Sequence, residues 1–139
     1  MKPTAITIET TVNAPVEKVW AAWTEPKHIT QWAFASDDWE APAATNDLRV
    51  GGTFSTTMAT KDKSFQFEFG GTYTAVDQHK RIDFTMGDER DVHTTFEDKG
   101  DGTTHVTQTF DIESENSAEK QRSGWQAILD NFKKHAEEL

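Results

Sequence analysis

Five histidines, no cysteine and an arginine close to a glycine pair supply most of what this 139-residue chain could use for chemistry. Without cysteine there are no disulfides, no thiolate nucleophile and no thiolate-held zinc. His28, His79, His93, His105 and His135 are scattered, and none pairs at i, i+4 on a helix. With no HExxH either, the spacing argues against a metal centre. Gly51-Gly52 and Gly70-Gly71 lack phosphate-loop spacing and read as backbone geometry, and neither a GxSxG turn nor a dinucleotide fingerprint occurs. His93 is the one candidate general base, because imidazole titrates near neutrality. Alternation puts Val92, Thr94 and Phe96 on the apolar face of its strand, which leaves His93 toward solvent. Arg49 could greet an anionic group at a pocket rim, or simply pair with Asp47 nearby.

The stronger chemical signal is aromatic. Five Trp and nine Phe concentrate hydrophobic burial in a few large side chains, each worth roughly 150–250 Å². Phe67, Phe69, Tyr73, Phe84, Met86, Phe110 and Trp125 are the candidates for an apolar pocket. Thr94, Gln108 and the Tyr73 hydroxyl would supply the few polar groups that such sites use. The alternative is that these rings fill the interior and leave no cavity. Trp20, Trp23 and Ile29 read as plain core.

The elements that must position these residues follow from periodicity. Residues 4–12 are rich in β-branched types and read as a first strand. Asn13-Ala14-Pro15 breaks it, and Val16, Val19, Trp20 and Trp23 then fall on one helical face. Thr24-Glu25-Pro26 ends that helix and starts a second, short one through Ile29 and Trp32. The pattern from 34 to 49 is weak, with a short strand around 38–41. Alternating segments follow, carrying Phe54, Thr56 and Met58, then Phe65 to Tyr73, then Ile82, Phe84 and Met86. Two more carry Val92 to Phe96 and Val106 to Ile112. Gly70-Gly71 predicts a bulge or tight bend inside its strand. In the tail Asn116 and Glu119 have capping-box spacing, and Trp125, Ile128, Leu129, Phe132 and Ala136 form one helical stripe.

Length suits one domain over residues 1–139, burying roughly 68% of the surface of its unfolded chain. The formal charge of −10 opposes a phosphate backbone, so neither nucleic acid nor an anionic membrane is an expected partner. The start, Met1-Lys2-Pro3-Thr4, lacks a signal peptide's apolar core, and the longest apolar run covers only residues 19–23. The expected compartment is the cytoplasm.

In this order the elements give an α+β fold: a curved antiparallel sheet of about six or seven strands wrapped around a long C-terminal helix, with two short helices after strand one. The signposts resemble the START-like, helix-grip superfamily, SRPBCC. Within it the chain is similar to the branch named for the activator of heat-shock protein 90 ATPase. The resemblance is carried by Asn13-Ala14-Pro15-Val16-Glu17-Lys18-Val19-Trp20 running on to Trp23-Thr24-Glu25-Pro26 and Trp32. It continues through Asp47-Leu48-Arg49-Val50-Gly51-Gly52, the Gly71 strand, Phe96 to Thr103 with Gly100-Asp101-Gly102, and Gly124-Trp125 with Leu129. The chain departs from the pattern at Ala33-Phe34-Ala35, at Asp77-Gln78-His79-Lys80, and between Trp32 and Asp47.

Such a fold hosts carriers, receptors, cyclases and co-chaperone domains, so function has to be argued from the site. The expectation is a non-catalytic domain that binds a small apolar or amphipathic molecule, with no cofactor and no metal. A co-chaperone-like module with a protein partner, a homodimer, and a cyclase-like or hydrolase-like enzyme are the alternatives.

Overall fold

Ile6, Ile8 and Val12 alternate inward along β1 (Ala5–Val12) while Thr7, Glu9 and Thr11 face solvent, the period-2 pattern of a half-buried strand. The computed structural model describes residues 5–87, 89–113 and 116–139, so Thr4, assigned above to this strand, lies outside the described residues. Pro15 caps α1 (Val16–Thr24) in an extended conformation. Glu25 both ends that helix and precedes α2 (Pro26–Ile29), where Pro26 occupies a first-turn position that needs no amide donor.

Among the described residues six further strands complete one antiparallel sheet: β2 (Trp39–Asn46), β3 (Thr53–Thr60), β4 (Gln66–Asp77), β5 (Arg81–Met86), β6 (Asp91–Asp98) and β7 (Thr104–Asp111). Their spatial order is β1-β7-β6-β5-β4-β3-β2, so the first strand pairs with the last and β2 closes the far edge. The expected short strand at 38–41 is longer than its pattern suggested and runs through Pro42. That proline is tolerated because β2 is an edge strand and a register shift falls between Glu40 and Ala43.

Gly70 and Gly71 are not themselves the bulge. A Cβ on Gly70 would lie 2.3 Å from the Phe54 carbonyl oxygen, and one on Gly71 2.7 Å from that of Thr85. Their role is to let β3 and β5 approach the β4 backbone, and the register shift comes just afterwards, between Tyr73 and Ala75.

The helix α3 (Ala118–Glu137) begins at Ser117, whose hydroxyl accepts from the Lys120 amide at 3.1 Å. The expected Asn116–Glu119 box does not form. Ser117, one residue on, is the residue with N-cap geometry, and Asn116 instead donates to Glu113. Leu129, Phe132 and Ala136 are fully buried, whereas Trp125 and Ile128 are only partly so. The helix also covers the free edge of β1. Arg122, Gln126 and Lys133 donate to the carbonyls of Thr7, Glu9 and Thr11, at 3.1, 3.5 and 2.8 Å. Alternate outward carbonyls that would otherwise template strand addition are thereby occupied.

Candidate functional site

The interior divides along α3. At the α1–α2 end the space is filled: Trp23, Trp32 and Phe132 pack with ring centroids 4.8–5.1 Å apart, and the Trp32 indole donates to the Ala22 carbonyl at 2.9 Å. Toward the N-terminal half of α3 the sheet and helix separate around a cavity of about 360 Å³. Trp125 and Ile128, both partly exposed, line this void.

Of the residues singled out from sequence, Phe67, Phe69, Tyr73, Phe84, Gln108 and Trp125 line this cavity. Met86, Thr94 and Phe110 do not. Each is buried. Phe110 lies beneath Trp125, and Thr94 stands behind Gln108, accepting its amide at 3.2 Å. Alternation identifies the inward face; it carries no information about which inward residue another side chain covers.

Trp23 and Ile29, read above as plain core, also reach the cavity wall, as do Trp32, Phe54, Met58 and Ile82. Phe54 and Met58 could have been found, since they alternate in phase with Thr56, which is buried and lines the cavity too. Trp23, Trp32 and Ile29 could not, because only tertiary packing brings α1 and α2 across the end of the sheet.

Polar groups line the cavity at more than one place. The Tyr73 hydroxyl donates to Asn46 at 2.6 Å, and the Asn46 amide donates to the Thr24 carbonyl at 2.6 Å. Burial pushes the Tyr73 phenol well above its ordinary pKa, Asp47's charge adds to this, and the Asn46 bond opposes it. Tyr73 is therefore a neutral group throughout the physiological range. Arg90, Glu113, Asn116 and Gln121 line the end nearest the start of α3. There the Gln121 side chain accepts from the Glu113 amide and donates to the carbonyls of Glu113 and Asn116, at 2.9, 3.1 and 2.8 Å.

The catalytic candidates lie elsewhere. His93 sits on the outer face of the sheet, its side chain 46% exposed, with Nδ1 3.2 Å from Asp83 Oδ1. Asp83 in turn takes Arg81 at 2.6 Å on its other oxygen. Arg49 pairs with Asp47 at 3.0 Å and does not line the cavity. His28 and His135, far apart in sequence, meet between α2 and α3 at 3.0 Å (Nδ1 to Nε2). Burial, and then the neighbouring His28, push the His135 pKa down. Among the described residues no three His, Asp or Glu side chains are grouped so as to hold a metal ion, and no helix is long and apolar enough to cross a membrane.

A family model described as Activator of Hsp90 ATPase homolog 1-like protein matches residues 13–137. No curated protein matches the chain. Among solved structures, the AHSA1-like protein from Aeromonas hydrophila is 42% identical, with a TM-score of 0.90 over 96% of this chain and 92% of that one. A Cytophaga hutchinsonii protein is 51% identical, with a TM-score of 0.82 over 96% and 92%. A Nitrosomonas europaea protein, 19% identical, shares the fold at a TM-score of 0.79 over 97% and 95%.

Proposed function

From the premise that the chain belongs to the Activator of Hsp90 ATPase homolog 1-like family, we propose that it is a single cytoplasmic, non-catalytic binding domain. It takes one small apolar or amphipathic molecule between the sheet and α3. The observation that carries this reading is the cavity itself: about 360 Å³, walled mainly by aromatic and aliphatic side chains, with the buried amide of Gln108 and the hydroxyl of Thr56 among its polar points of contact. Ligand sites have this composition, a concave apolar wall with a few placed polar groups that fix orientation. A catalytic reading would have to rest on Glu113, which lines the end of the void nearest the start of α3, because the imidazole of His93 is on the opposite face of the sheet.

The test is titration with a hydrophobic fluorescent probe, for which sub-millimolar binding is expected. Phe84→Ala enlarges the cavity and should change that affinity. Absence of saturable binding below the millimolar range overturns the reading.

The family's description also names activation of the Hsp90 ATPase. Applied to this chain, that gives a second reading, a protein-interaction module, and recovery of the chaperone in a pull-down with the full chain is its test.

A further inference from the structure

Three rings stand together at the surface where β2, β3 and β4 meet. Phe65 is 56% exposed and Phe67 41%, both large apolar side chains left in water. Trp39 lies against both, with ring centroids 6.0 Å from Phe65 and 5.9 Å from Phe67. The two Phe rings are 6.0 Å from each other. The three sides are nearly equal, and the interplanar angles of 81°, 71° and 46° turn the ring faces in different directions. Strand register holds the cluster in place: Trp39 pairs with Thr60, and the Thr60 amide donates to the Phe65 carbonyl at 2.9 Å. Contiguous exposed apolar side chains mark a binding surface more often than a structural one.

The cluster adjoins the cavity. Phe67 belongs to both, and Met58, its cross-strand partner, is also cavity wall. A molecule reaching out past Phe67 meets Phe65 and Trp39 next.

The surrounding charge selects the kind of group that can rest there. Asp37, Asp38, Glu40 and Asp62 flank the rings in sequence, against Lys61 and Lys63, and the Lys63 ammonium is already paired with Glu40 at 3.2 Å. The Ser64 hydroxyl and amide hold the Asp62 carboxyl down to about 2, so it stays charged at neutral pH. Over the whole chain the formal charge is −10. Ring faces carry a negative quadrupole that attracts cations, and clustered aromatic rings are a recurrent receptor for alkylated ammonium groups. An anionic head would meet both that quadrupole and the acidic field.

We propose that the cavity's ligand is an amphiphilic organic cation, its apolar body held between sheet and α3 and its alkylated ammonium head resting on Trp39, Phe65 and Phe67. This rests on the binding reading above.

The experiment compares three probes of equal chain length below their micelle concentrations: decyltrimethylammonium, decanol and decanoate, each titrated by calorimetry. The cation should bind about tenfold tighter than decanol, the size of a partly desolvated cation–aromatic contact, with decanoate weakest. Phe65→Leu keeps apolar area but removes a ring. It should abolish the cation's advantage while leaving decanol within twofold, as should Trp39→Ala. Equal affinities, a preference for decanoate, or an advantage that survives Phe65→Leu overturns the cationic head and leaves the cavity reading standing. No binding of any probe removes both. Because Phe65 is exposed, the variant's fold can be checked by circular dichroism before titration.

Discussion

Trp125 lies flat on Phe110, their ring centroids 4.1 Å apart and their planes within 9°. The stack joins α3 to β7 and makes one wall of the cavity, with Phe110 fully buried behind and Trp125 facing the void. Removing the indole should therefore act on the ligand site more than on the core. Trp125→Ala is expected to widen the cavity and shift the apparent size preference toward bulkier probes. A panel of probes of increasing girth that keeps its rank order would count against Trp125 as a wall.

Leu129 and Phe132 hold α3 in the core, both sealed from solvent, with Phe132 packed on Trp23 and Trp32. Leu129→Ala should cost about 2–5 kcal/mol, the range for a buried Leu whose cavity cannot fully collapse. Denaturant melts measure it directly. A loss under about 1 kcal/mol would mean that the helix is not held by this stripe.

His135 gives a stability change with a defined sign. Its pKa in the folded chain is pushed below the ordinary imidazole value of 6.5 by burial and by His28. The unfolded chain therefore takes up a proton first as pH falls. The neutral His135 contributes its full stability above about pH 6.5, and that contribution is lost as pH falls through its lower folded value. Melting temperature should drop as pH is lowered from 7 toward 5, and His135→Gln should flatten the slope in that window. An unchanged slope would separate the pair from the acid response.

His93 tests the assignment of function to the inner face. Its Nδ1 lies 3.2 Å from Asp83 Oδ1 on the outer face, with the imidazole half exposed and the carboxylate buried. His93→Ala should leave probe affinity unchanged. Any ester turnover found in the purified protein should likewise survive the change. A hundredfold loss of such activity at unchanged melting temperature would show that the outer face is the working one.

The succession of elements was legible because periodicity is a local property. Ile6 and Ile8, Val92 to Phe96, and the stripe ending at Ala136 each declare their buried face within a few residues, whereas the glycine pair at 70 and 71 suggests a bulge and proves to mark a crowded strand. What lies behind what was not legible. Phe110 and Trp125 look alike in sequence as inward rings, yet stacking hides one and exposes the other to the cavity. Trp23 and Ile29 read as core until α1 and α2 are laid across the end of the sheet. The triangle of Trp39, Phe65 and Phe67 likewise depends on strand register, because hydrogen-bonded pairing brings together side chains more than twenty residues apart. Local sequence determines which face of a strand or helix is apolar. Only the closing of the sheet around α3 decides where that apolar surface is packed solid and where it is left open to receive a guest.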